Sequence, residues 1–322
     1  MIPLRWFLCP LLLLAACAAP GGERWHSPLS RDHPLVGRIW RPADGAFADP
    51  GQLHRDLAAA EFVLLGEKHD NRDHHSLQAR LVETLVAAGR RPGVVWEMIG
   101  EDRQLALDLH LASHPDDADG LGAALDWSKT GWPAWHTYQP IARAALAGGL
   151  PMRAGGLTRA TVRAVARQGT RALGAPRSDR LALDEELPAA RRQRMLEQLF
   201  EGHCKLMPRR ALLPMLAVQR ARDAVMADRM LELGGAGAVL IAGNGHVRRD
   251  DGVPRALRRR RPSARIVSVG LLEVDDERTD PAAYAKGFTA DVLPFDFVWF
   301  TPRADDVDHC ERLRKRLKGH KK

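Results

Sequence analysis

Residues 63–75, VLLGEKHDNRDHH, decide how this chain is read. Val63, Leu64 and Leu65 form a short apolar run that Gly66 breaks. Residues 73–89 then carry Leu77, Leu81, Leu85 and Val86 at helical spacing. An apolar run, a glycine and an amphipathic segment spell strand, loop and helix. The loop lies at the carboxyl end of the strand, where open parallel sheets bind ligands. Between Glu67 and Ser76 it gathers three imidazoles (His69, His74, His75) and three carboxylates (Glu67, Asp70, Asp73). A solvated turn would also be polar, but a second stretch has the same form. Residues 239–249, VLIAGNGHVRR, again end an apolar run in glycine, with His246 just beyond.

Working outward, strands are expected at residues 63–65, 94–96, 151–156, 238–242, 266–269 and 297–300, and helices at 52–61, 73–89, 102–113, 141–147 and 158–169. From 187 to 233 the pattern stays helical, which marks a helical subdomain or insertion. Strands alternating with helices, joined by long crossovers, predict an α/β fold: a mainly parallel sheet flanked by helices, with a smaller helical subdomain. Four strand ends then share one sheet edge. They carry Glu67 and His69, Glu97, Gly155 and Gly156, and Asn244 and His246.

Glu67, His69, Glu97 and His246 make a set of two imidazoles and two carboxylates. Such a set suits a divalent metal with open positions, or acid/base work in which a carboxylate orients an imidazole. Taken singly, Glu97 could instead pair with an arginine, and His246 could cap a helix. Asn244 offers an amide to an oxyanion. Neighbours on a helix project about 100° apart, so only one of His74 and His75 faces the site. His74 is favoured, because Leu77 and Leu81 follow it on the inward stripe. Residues 126–140, DWSKTGWPAWHTYQP, hold three tryptophans and one of the chain's two tyrosines. They suit either aromatic packing or a wall for a planar ligand. Tyrosinate and imidazole both ligate haem iron, which makes Tyr138 and His136 candidates. Arg248, beside His246, could pair with a ligand carboxylate.

The 322 residues, 45% of them hydrophobic, support a sizeable core. Residues 1–16, MIPLRWFLCPLLLLAA, read as a secretory signal: one basic residue, then an apolar run too short to span a membrane. Leu14-Ala15-Ala16-Cys17 has the form of a lipobox, so Cys17 is the expected lipidation site and acyl chains the expected anchor. Residues 17–35 read as a tether. The formal charge of +8 invites a nucleic-acid reading, but residues 311–322 alone carry seven Lys/Arg against one Glu. The body is then near neutral, and the charge belongs to a basic tail, 303–322, that suits solvent or anionic lipid. No nucleic-acid partner is expected. Cys204 and Cys310 are left in a compartment that permits a disulfide, but spacing alone does not pair them.

Several blocks together resemble the ChaN family of haem-binding lipoproteins: GEKHDNRDHH (66–75), WEM (96–98), DWSKTGWPAWHTYQPI (126–141), HC (203–204), QRARDAVMA (219–227) and IAGNGHVRRD (241–250). They cover roughly residues 36–300. The resemblance implies an α/β domain with a smaller helical domain, over residues 36–302. It also implies a haem site formed as two protomers pair, and a role in haem or iron acquisition at the cell envelope. The GExH and GNGH blocks look more distantly like erythromycin-esterase-like and Tiki-type proteins. There, matching Glu and His residues serve hydrolysis. The expectation is therefore a lipid-anchored haem-binding protein at the outer membrane, facing the periplasm and able to form a homodimer. Its haem contacts would come from His69, His74, His136, Tyr138, Asn244, His246 and Arg248. The alternative is a metal- or His/Glu-dependent hydrolase built on Glu67, His69, Glu97 and His246.

Overall fold

The structure, a computed structural model, describes residues 24–183 and 185–319. The signal segment and the lipobox Cys17 lie outside the described residues. Eight strands form one sheet: β1 (Ile39–Arg41), β2 (Ala46–Ala48), β3 (Phe62–Leu65), β4 (Gly93–Gly100), β5 (Met152–Gly156), β6 (Ala238–Ile241), β7 (Ile266–Glu273) and β8 (Phe297–Thr301). Their spatial order is β2-β1-β8-β7-β3-β6-β4-β5. Pairings from β8 through β5 are parallel; β1 joins β8 and β2 antiparallel. Helices fill the crossovers: α1 (Pro50–Ala59), α2 (Arg72–Ala87), α3 (Gln104–Ser113), α4 (Ala118–Ala124), α5 (Trp135–Ala147), α6 (Arg159–Gln168), α7 (Ala175–Arg180), α8 (Ala189–Gly202), α9 (Leu213–Glu232), α10 (Val253–Arg260) and α11 (His309–Gly319). The parallel α/β class expected from the sequence is the one observed.

Both sheet faces are covered, so the central strands are apolar without a break: β3 reads FVLL and β6 AVLI, every residue buried. Side chains alternate between the faces. Val63, Leu65, Trp96 and Ile241 point to α1, α2 and α5, where Leu53, Leu81 and Ile141 meet them. Phe62, Leu64, Val95 and Leu240 point the other way, to Met226 and Met230 of α9 and Leu257 of α10. A fully buried Leu or Phe contributes about 1.5–3 kcal/mol. A core of this size tolerates ionisable groups buried at one edge, where each desolvated ion costs several kcal/mol before pairing.

Three expectations need correction. The helical region begins earlier than residue 187: helices run from Arg159 to Glu232 between β5 and β6. Its last member, α9, lies on the sheet, because Met226, Ala227 and Met230 belong to the main core. The smaller cluster is formed by Leu157, Val165, Leu181, Leu183, Ala221, Ala224 and Val225. The described part of the tether is docked. The backbone N–H groups of His26 and Ser27 donate to the Asp73 carboxylate, and Leu35 is buried. The tail is also structured, since α11 is joined to the end of α8 by a Cys204–Cys310 disulfide. Among the described residues no helix is long and apolar enough to cross a membrane.

Candidate functional site

The strand order explains the site. β6 lies between β3 and β4, with Ile241 level with Leu65 on one side and Trp96 on the other. The loop after β6 therefore emerges between Glu67 and Glu97. Gly66 permits the close approach: a Cβ there would strike the Asn244 side chain and stand 2.8 Å from Val247. The Gly243 N–H donates to Glu97 Oε2 at 2.8 Å, which fixes that carboxylate against the loop.

Two clusters meet at Glu97. In the first, the Nδ1–H of His69 donates to Glu67 Oε1 at 2.6 Å, and the Tyr138 hydroxyl donates to the same oxygen at 2.9 Å. His75 Nε2 stands 3.5 Å from Glu67 Oε2, and its ring packs on Tyr138 with centroids 4.0 Å apart. In the second, His246 bridges two carboxylates, Asp223 Oδ1 at 2.6 Å through Nδ1 and Glu97 Oε1 at 3.1 Å through Nε2. His69 Nε2 lies 3.9 Å from Glu97 Oε2. His69 and His246 thus flank one carboxylate, as their placement at adjacent strand ends anticipates.

Burial and charge compete at Glu67, Glu97, Asp223, His69 and His246. Burial opposes the charge on Glu67, but His75 and the hydrogen bond from His69 hold it well below the usual carboxylate range. Glu97 is likewise buried, yet His246, His69 and the Gly243 N–H bring it down to about 2. Burial disfavours protonated His246, but Glu97 and Asp223 outweigh it and raise its pKa to about 10. Burial also lowers His69, but the hydrogen bond to Glu67 together with the charges of Glu67 and Glu97 outweighs it and raises the pKa. For Asp223 burial dominates and pushes the carboxyl up. Burial, then Glu67, pushes the Tyr138 phenol up.

Several expected site residues take other roles. His75, not His74, faces Glu67. His74 turns to the opposite side, where its Nδ1 accepts from Lys68 N and its Nε2 bonds Thr301 Oγ1; burial drops its pKa to about 3. The helix begins one residue before Asp73, capped by the Asn71 side chain, and this sets which ring turns inward. Tyr138 is fully buried, with its hydroxyl spent on Glu67, and His136 is exposed on the first turn of α5. Asn244 clamps β7, donating to Leu271 O and accepting from Leu271 N. Arg248 is buried in a two-point pair with Asp250 and donates to Phe288 O. Among the described residues no group of three or more His, Cys, Asp or Glu forms a metal cage. Glu67, His69, Glu97 and His246 instead stand as hydrogen-bonded pairs, in which the ring nitrogens donate to carboxylates.

A cleft of about 610 Å³ opens at the carboxyl ends of β4 and β5. Trp132, Leu157, Val162 and Met226 give it apolar walls; Arg103, Lys129, Arg159, Arg163 and Arg222 outnumber the carboxylates Glu97, Asp102 and Asp126 in its lining, with Asp126 paired to Arg103 and Lys129 at 2.8 Å. Glu97 forms part of its wall. His69 adjoins it, its ring tilted 55° against Trp132 with centroids 4.6 Å apart and its side chain 32% exposed. No local pattern marks these cations, which are scattered over the approaches to α3 and α5, α6 and α9. Asp223 also escapes a local reading, although a carboxylate within the apolar run of α9 is visible in QRARDAVMA.

Fold and site together define an α/β protein whose ligand cleft lies beside a buried imidazole–carboxylate network at the sheet edge. The chain belongs to the family of haem-binding uptake proteins of the Tiki superfamily, ChaN, whose model matches residues 53–257. It is similar to ChaN of Campylobacter jejuni, solved as "Cofacial heme binding to ChaN", with a TM-score of 0.62 and 21% identity over 81% of this chain and 95% of that one. The type III effector HopBA1 is a weaker likeness, with a TM-score of 0.43 and 12% identity over 78% of this chain and 91% of that one. No curated protein matches the chain.

Proposed function

We propose that this protein binds haem in the cleft beside His69 and serves haem or iron acquisition at the cell envelope. The observation that carries the reading is the chemistry of the cleft: apolar walls suited to a macrocycle and a cationic lining suited to its two carboxylates. His69 is the iron-facing side chain. Glu67 takes its Nδ1–H, which orients the ring and leaves Nε2 toward Glu97 and the cleft. Gly243 keeps the space beside that nitrogen, since a Cβ there would lie 2.9 Å from His69 Nε2. When bound, haem supplies the iron centre; the chain supplies shape, charge and one imidazole. Tyr138 does not fit the ligand role, because its hydroxyl is enclosed and engaged with Glu67.

The hydrolase alternative asks a histidine to accept a proton. His246 is held toward its protonated form by Glu97 and Asp223, which makes it a poor proton acceptor; His69 leans the same way and gives up its Nε2 proton when that nitrogen takes a metal. The Cys204–Cys310 bridge is of the kind that persists in oxidising compartments, and it supports an envelope address. Lipidation at Cys17, an outer-membrane location facing the periplasm and pairing of two copies complete the proposal. Titrating the purified protein with haemin tests it. A saturable Soret shift that is lost in His69→Ala and weakened in Arg163→Glu is expected. Absence of saturation, or the same shift in both variants, overturns the site.

A further inference from the structure

A second cavity, of about 460 Å³, lies between α10 and the segment joining α7 to α8. It shares no lining residue with the first cleft. Asp223 forms part of its wall, so the buried Asp223–His246–Glu97 chain separates the two spaces. Leu183, Leu187 and Ala256 give it an apolar wall, and its charged lining includes the carboxylates Glu185, Glu186, Asp223 and Asp251. Its mouth is cationic and only partly neutralised.

Two of the lining guanidiniums decide what would enter. Arg255 is exposed and has no carboxylate partner among the described residues. Arg258 is half-buried and donates only to the Arg249 carbonyl, at 3.1 Å. The nearby carboxylate, Asp296, is already paired with Arg249 at 3.1 Å. Burial and the Arg249 charge push the Arg258 pKa down, and the Asp296 charge offsets them only in part. The remaining cations are committed: Arg191 to Asp251 at 2.9 Å, Arg260 to Asp228 at 2.7 Å, Arg259 to Glu185, and Arg220 to the Leu183 and Glu185 carbonyls. A half-desolvated guanidinium beside an apolar hollow calls for an anion on an apolar body.

We propose that this cavity is a binding site for an anionic amphiphile, with a carboxylate or phosphate head at Arg255 and Arg258 and an aliphatic body among Leu183, Leu187 and Ala256. The site is independent of haem, so it is tested on haem-free protein. Calorimetry with decyl phosphate and with decanoate, each below its micelle concentration, compares the two heads; inorganic phosphate and decanol supply the head and the tail alone. Saturable binding of one decyl phosphate or decanoate per chain is expected, and the tighter of the two identifies the head. Arg255→Glu, an exposed change that leaves the core intact, should weaken it by about tenfold or more, the loss of roughly one charge-assisted bond. Ala256→Phe, which fills the hollow, should weaken it as much while the haemin Soret shift is kept. Failure of both amphiphiles to bind, decanol or phosphate binding equally well, or unchanged affinity in both variants overturns the proposal.

Discussion

His246 and Asp223 are joined by a 2.6 Å hydrogen bond between α9 and the loop after β6, and both side chains are buried. The far nitrogen of the same ring reaches Glu97 on β4. One imidazole therefore ties a covering helix to the sheet edge, and two carboxylates make its charged form the stable one.

This predicts how stability varies with pH. The folded His246 pKa, about 10, lies above the ordinary 6.5, so its contribution is complete below about 6.5 and is lost as pH rises toward 10. Glu97, at about 2 against an ordinary 4.5, contributes above 4.5 and loses that contribution as pH falls toward 2. Urea unfolding should show a plateau between these limits with loss on both sides. Asp223→Asn should bring the His246 titration, followed by its ring-proton NMR signal, down toward the ordinary value. An unmoved titration would refute the assigned coupling.

Tyr138→Phe separates support from ligation. It removes a donor to Glu67 but nothing that faces the cleft. The variant should keep the haemin spectrum of the wild type and lose about 1–2 kcal/mol of stability in urea. A lost Soret band with an intact fold would return Tyr138 to the iron.

His74→Ala should act on the fold and not on the ligand. It takes away the acceptor for Lys68 N and the partner of Thr301 in a fully buried position, a cost of roughly 2–4 kcal/mol with the cavity it leaves. Haemin affinity of the folded fraction should be unchanged. His75→Ala, beside Glu67, should alter the spectrum.

Replacing Cys204 and Cys310 together by serine releases α11 from α8. The bridge closes a span of 106 residues, and its removal should cost about 2–4 kcal/mol. Scanning calorimetry should show the lowered midpoint, and dithiothreitol should lower the wild type but not the double variant.

Gly243→Ala places a methyl group against His69 Nε2. Haemin affinity should fall by about tenfold or more, while far-UV circular dichroism stays the same. An unaffected affinity would show that this nitrogen is not the one presented to iron.

Much of this architecture was legible before any coordinates. Unbroken apolar runs such as VLL and VLI, each stopped by glycine, announce buried parallel strands because only a doubly covered sheet needs them. Ionisable residues just past those runs announce a site because strand ends share an edge. Which side chains face one another was not legible. His74 and His75 differ by a single helical step, and the start of α2 at the Asn71 cap chose between them. Tyr138 and Asn244 have the right chemistry for a ligand, but packing turned both inward, one onto Glu67 and the other onto β7. Asp223 and the five cations of the cleft come from separate segments whose proximity follows from strand order and helix packing. Local pattern determined the elements and the edge where chemistry gathers. Only the tertiary structure decided which groups pair, since hydrogen bonds and charge depend on distances that spacing along a chain does not contain.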